Sequence, residues 1–108
     1  MPEIKILTAQ RAVTAAGTAE KIKETPEPFQ SKVISVTVRA NTGNAGNIYV
    51  RNGDDVSSCS TTSYILSAGE VLTLDVHDIY DAYLNLSKIW IDADTSGDGI
   101  SYVAFEVI

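Results

Sequence analysis

Apolar and polar residues alternate along several short segments of this chain. The clearest segment is 32–40, where every second side chain is apolar and those between are mostly polar; the apolar ones are Ile34, Val36, Val38 and Ala40. A repeat of two is typical of a β-strand with one buried face, because successive side chains point to opposite sides of a sheet. We therefore predict a half-buried strand over residues 32–40.

Similar short segments recur about every ten residues and are separated by residues that favour turns. Asn41–Asn47 is rich in Asn and Gly, Asn52-Gly53 is a strong turn dipeptide, and Gly97 and Gly99 close a further loop. This spacing predicts an all-β protein, an antiparallel β-sandwich or jelly-roll-like barrel of six to eight strands. The predicted core consists of Ile34, Val36, Val38, Ile48, Val50, Leu72, Leu74, Ile89, Ile91, Val103 and Phe105.

One segment has a different period. Its apolar residues are spaced by three and four positions, which is typical of a helix face; they are Val76, Ile79, Tyr80, Tyr83 and Leu84. Asp75 or Asp78 could cap its first turn. We predict one short helix near 76–84, and it needs packing against the sheets to persist.

The length of 108 residues predicts one β-sandwich domain over 1–108. Residues 1–10 are a candidate N-terminal arm that docks on a neighbouring subunit, and an ordinary edge strand or a frayed end is the alternative. The first residues lack the form of a signal peptide, so we expect synthesis in the cytoplasm. No apolar run approaches the roughly 20 residues that span a bilayer.

Composition and charge argue against several classes of function. Fourteen acidic residues against eight basic ones give a net charge of −6, which opposes binding to nucleic acid and to anionic membranes. The single cysteine, Cys59, excludes an internal disulfide and a cysteine zinc site. The single histidine, His77, has no positioned nucleophile near it in the sequence. We therefore expect no enzyme activity, no catalytic residue and no cofactor.

Four stretches together carry a resemblance to a known class of protein. They are Val13–Glu20, Val38–Gly43 running into Asn47–Val50, Leu66–Glu70 and Asn85–Tyr102. In this order they resemble small structural proteins of tailed-bacteriophage virions, of the head-decoration or fibre-attachment kind. The resemblance covers residues 11–106 and rests on strand-and-turn patterns.

This resemblance implies a non-enzymatic virion protein that decorates or cements the capsid, or joins tail or fibre parts, through self-association. It also implies a symmetric homo-oligomer, with a trimer expected, and contacts with other virion proteins. We expect such a protein to be held in the virion by many weak contacts, repeated over its copies, and not by one strong binding pocket.

The strongest chemical signal is the segment 92–99, where Asp92, Asp94 and Asp98 alternate with small residues before a glycine. Oxygen ligands at alternate positions around a tight turn suit calcium. However, Val103 occupies the position at which a calcium loop of the helix–loop–helix type needs a glutamate. A polar hairpin turn is the simpler interpretation, so no metal ligand is assigned.

Three aromatic residues suggest an alternative function. Tyr80, Tyr83 and Trp90 could form a platform that stacks on sugar rings, as in a carbohydrate-binding module that acts with or without calcium. The competing interpretation is that the two tyrosines cover the mouth of the sandwich, while Trp90 caps the core or an oligomer contact.

Overall fold

The fold was analysed in a computed structural model that describes residues 3–24, 32–54, 56–57, 63–76 and 82–107. Eight strands lie in these ranges: β1 (Ile4–Ala12), β2 (Glu20–Lys21), β3 (Lys32–Ala40), β4 (Ile48–Asn52), β5 (Tyr64–Leu66), β6 (Val71–Asp75), β7 (Ile89–Ala93) and β8 (Gly99–Val107). They form two four-stranded antiparallel sheets, ordered β1-β8-β3-β6 and β2-β7-β4-β5. The prediction of an antiparallel sandwich is confirmed.

The order of the strands is that of a jelly roll. The first strand pairs with the last, the second with the seventh, the third with the sixth and the fourth with the fifth, all antiparallel. The chain therefore pairs like one long hairpin whose two arms are wound over two packed sheets. The same winding places the β1–β2, β3–β4, β5–β6 and β7–β8 loops at one end of the sandwich.

The core lies between the two sheets and matches most of the predicted set. Predicted residues that are buried are Val36, Val38, Ile48, Val50, Ile89 and Ile91. Leu72 and Leu74 on the edge strand β6 are partly buried and pack against this core. Alternation alone identified these core residues, because the other face of each strand carries polar residues or borders the solvent.

The prediction for β8 is wrong in its choice of face. Val103 and Phe105 lie on the outer face, and Phe105 is 41% exposed, whereas Tyr102 and Ala104 are buried. Both faces of this strand are apolar, so the repeat of two cannot distinguish them. The register decides, because Ala104 lies opposite the buried Val36 on β3.

A second correction concerns the start of β3. Ile34 is only partly buried, and Val33 is fully buried in its place. The register with β8 shifts between Val33 and Ser35, which marks a β-bulge. A bulge inserts one residue into the strand, so the alternation continues from Val36 but is out of phase before it.

The predicted helix near 76–84 falls mainly on residues 77–81, which lie outside the described residues. At its two ends, the Val76 N–H donates to the Ile34 carbonyl oxygen at 2.9 Å, and Leu84 forms an isolated bridge with Val33. A 3-10 turn at Leu86–Lys88 leads directly into β7. No helix in the described ranges is long and apolar enough to cross a membrane.

Candidate functional site

Aspartates in and after β7 hold the loops together at one end of the sandwich. Asp92 is 2% exposed, and its Oδ1 accepts hydrogen bonds from the backbone N–H groups of Gly17 and Ala93 at 2.9 and 2.8 Å. Gly17 has a φ of 90°, a conformation that glycine adopts readily. The buried carboxylate thus fixes the loop between β1 and β2 to β7.

Asp98 performs the same role for the loop between β3 and β4. Its carboxylate accepts the N–H groups of Ala45 at 3.0 Å and Gly46 at 2.9 Å. Asn44 strengthens the junction, because its side chain donates to the Gly99 carbonyl and accepts from the Gly99 N–H. Backbone groups that would otherwise lack partners in this turn are therefore satisfied by side chains.

Asp94 binds the start of β4. Its Oδ1 accepts the Tyr49 hydroxyl at 2.7 Å, and its Oδ2 accepts the Asn47 N–H at 3.2 Å. The hydrogen bond to Asp94 raises the pKa of the Tyr49 phenol, because ionisation would break that bond and place two negative charges side by side.

The three aspartates of the calcium hypothesis therefore each bind backbone or hydroxyl groups of other residues, Asp92 in the β1–β2 loop and Asp94 and Asp98 between Ala45 and Tyr49. Their oxygens accept N–H or O–H groups from the β1–β2 loop, the β3–β4 loop and β4. Within the part of the chain that the structure describes, no group of three or more acidic, cysteine or histidine side chains is arranged to hold a metal ion. The network explains the aspartates as structural residues that fix the loops.

A cleft of about 550 Å³ opens between the two sheets at the edge formed by β5 and β6. Its wall is apolar and is formed by Val50, Leu72, Leu74, Leu84 and Ile89. Arg51, Asn52, Asn85 and Lys88 supply polar groups to its lining, and Lys88 is paired with Asp54 at 2.9 Å. The pairing with Asp54 raises the pKa of Lys88.

The structure separates the predicted aromatic platform. Tyr83 lines the cleft and is 59% exposed, and Tyr64, which the sequence analysis did not select, lines it with 56% exposure. Trp90 does not line the cleft: its indole N–H donates to the Gly53 carbonyl at 2.9 Å, and Lys21 Nζ lies 5.4 Å from its ring. Tyr80, His77 and Cys59 lie outside the described residues.

The outer face of the β1-β8-β3-β6 sheet carries exposed apolar side chains. Ile4, Ile6 and Phe105 are 53%, 61% and 41% exposed. Ile6 lies opposite Phe105, and Ile4 lies opposite Val107, so the four side chains are neighbours. We call Ile4, Ile6, Phe105 and Val107 the apolar patch. The sequence feature that indicates this patch is the pair Ile4 and Ile6, which alternate with charged residues in the predicted arm.

Residues 4–10 of that arm belong to β1, which pairs with β8 of its own chain over its full length. None of the nine β1 residues is buried, and seven are exposed. At its end, Arg11 forms ion pairs with Glu20 at 3.1 Å and with Glu24 at 2.7 Å. The strand is therefore an exposed sheet edge whose far end is tied to the β2 region.

Comparisons with known proteins support the fold. No family model and no curated protein sequence matches this chain. A solved structure described as Bacillus endospore appendages that form disulfide-linked pili is similar over 99% of this chain and 88% of its own, with 13% identity and a TM-score of 0.52. The coat protein of Tobacco streak virus matches over 93% of this chain and 85% of its own, with 13% identity and a TM-score of 0.38. The first likeness shows a shared fold.

Proposed function

We propose that this protein is a non-enzymatic structural protein of a bacteriophage virion, which decorates or cements the capsid or joins tail parts by association of its own copies. The apolar patch is the observation that carries this proposal. Three large apolar side chains, each 41% to 61% exposed, lie together on one sheet face. Contiguous apolar surface of this kind marks a place where another protein surface excludes water.

Two further features support a structural role. The loops at one end are fixed by buried carboxylates and backbone hydrogen bonds, which gives a rigid shape suited to repeated packing. The jelly-roll order of strands is also found in viral capsid domains, and the Bacillus protein that shares the fold is described as a pilus. The assignment to a bacteriophage rests on the sequence resemblance.

Sedimentation of the purified full chain over a range of concentrations tests self-association. The wild-type protein should form a discrete oligomer, for which the resemblance predicts three copies. Ile6→Lys and Phe105→Lys should weaken it, because they place charges in the apolar patch, whereas Thr42→Lys on an exposed loop should not. A monomer at every concentration would contradict the proposal. Immunogold labelling of purified particles would distinguish capsid from tail.

Carbohydrate binding is the second candidate, and the positions of Tyr64 and Tyr83 favour it. Both rings line the same cleft and are more than half exposed, and Asn52 and Asn85 add hydrogen-bonding groups there. On a glycan array, a binding module would give hits that Tyr83→Ala abolishes. Trp90→Ala is the matched control and should keep the hits, because Trp90 does not line the cleft. An array without any hits would exclude carbohydrate binding.

A further inference from the structure

We propose that the outer edge of β1 pairs with the same edge of a second copy, antiparallel and about a two-fold axis at Leu7. This inference rests on the proposed function, because it names the surface through which copies associate. The two sheets would then join into one sheet of eight strands, with β1 of each copy at its centre. Such a two-fold contact would join two single chains, or would join two oligomers whose own subunits associate through another surface.

The first argument is the shape of this edge. Strand β1 pairs residue by residue with β8 from Ile4 to Ala12 without a bulge, and it contains no proline. The other edge strands in the described ranges, β2, β5 and β6, have only two, three and five residues. Proteins commonly protect a long edge with bulges, prolines or a covering segment, and β1 has neither a bulge nor a proline, nor does any described segment pair with its outer edge.

The second argument is that β1 is complementary to itself in one register. With the axis at Leu7, residues 3–11 overlap fully, Ile6 faces Thr8 of the second copy, and Ile4 faces its Gln10. An axis at Thr8 would place Lys5 opposite Arg11, which is repulsive. An axis at Ile6 would shorten the overlap by two residues. The axis at Leu7 therefore gives the longest overlap in which no like charges face each other.

Charge and burial agree with this register. Glu3 would face Arg11 of the second copy, whose guanidinium already binds Glu20 and Glu24 through Nη2 and carries further donors. This pair would mainly fix the register, since the neighbouring acids offset its attraction. Leu7 is only partly buried in the single chain and would meet Leu7 of the second copy. Ile4 and Ile6 would extend the apolar patch across the junction.

Disulfide crosslinking of the full chain tests the register. In a Cys59→Ser background, Leu7→Cys places two thiols on the axis, so oxidation should give a covalent dimer on a non-reducing gel. Lys5→Cys and Ala9→Cys should each stay uncrosslinked. In either variant the two thiols would be about 13 Å apart along the strands, farther than the roughly 7 Å between Cα atoms that a disulfide bridges.

A mixture of the Lys5→Cys and Ala9→Cys proteins should crosslink, because residue 5 faces residue 9 of the second copy. This pair is informative even if Leu7→Cys fails to fold, since Lys5 and Ala9 are exposed. If neither arrangement crosslinks while the protein still self-associates, the β1 contact is overturned and the proposed function stands. Crosslinking of all three single variants also overturns the fixed register. A protein that is monomeric throughout overturns both.

Discussion

Gly99 of β8 lies against the backbone carbonyl of Arg11 on β1, one position before its register partner Ala12. A Cβ atom at position 99 would overlap the Arg11 carbonyl oxygen and stand 2.9 Å from the Cα of Ala12. These are backbone atoms that cannot move aside without shifting the strand. The absence of a side chain at position 99 thus allows β1 to pair to its end.

Gly99→Ala should therefore destabilise the fold by about 1–3 kcal/mol, the range for overpacked sites. Chemical denaturation measures this change in the free energy of unfolding. Gly43→Ala is the matched control, because nothing lies within 4 Å of a Cβ at position 43. Equal effects of the two substitutions would show that the close approach at Gly99 is unimportant.

The two faces of β8 should respond differently to truncation. Ile100 is fully buried, so Ile100→Ala should cost about 2–5 kcal/mol through lost burial and a residual cavity. Phe105→Ala removes a side chain that is 41% exposed and should cost clearly less in the isolated chain. Thermal unfolding at low protein concentration compares them. A larger loss from Phe105→Ala would contradict the assignment of the faces.

Asp98→Ala should destabilise the protein, because the Ala45 and Gly46 N–H groups lose their acceptor in a partly buried turn. The expected loss is about 1–3 kcal/mol, the cost of leaving buried donors unsatisfied. Asp54→Ala provides the control, since Asp54 is exposed and its ion pair with Lys88 lies in water. Denaturation midpoints that move equally would argue against the role of Asp98 in fixing the loop.

The link between Tyr49 and Asp94 should be visible at alkaline pH. The pKa of Tyr49 is raised above its ordinary value of 10.0, so the neutral phenol is favoured in the folded state. Its stabilising contribution is present below pH 10 and is lost as pH rises through the folded pKa. NMR titration of the Tyr49 ring should show this pKa fall in Asp94→Asn. Asp54→Asn should leave it unchanged.

Calcium should not stabilise the protein through Asp92, Asp94 and Asp98. Their carboxylates already accept N–H and O–H groups of other residues, and gathering them around a cation would break those hydrogen bonds. Thermal unfolding with calcium and with a chelator should give the same midpoint. A midpoint that rises with calcium concentration in the wild-type protein, but no longer rises in Asp92→Asn, would support the metal hypothesis.

Local patterns predicted the elements best where only one face of a strand is apolar. Val36 and Val38, with Thr37 between them, could be placed in the core from alternation alone, and the Asn- and Gly-rich segment after β3 was correctly predicted as a turn. The same rule was wrong at Phe105, because β8 is apolar on both faces. It was also wrong at Ile34, because a bulge does not alter the composition of the strand.

The sequence by itself determined an all-β chain, its acidic charge and most of its core, because these depend on composition and on contacts between neighbours in the chain. Only the tertiary structure decided which strand lies beside which, and therefore which side chains of the described residues lie together. It placed Ile6 beside Phe105, about 100 residues away in the chain. It also bound Asp92 to the β1–β2 loop, and Asp94 and Asp98 to the β3–β4 loop and the start of β4. Such pairings between distant segments follow from the winding of the jelly roll, which no local period encodes.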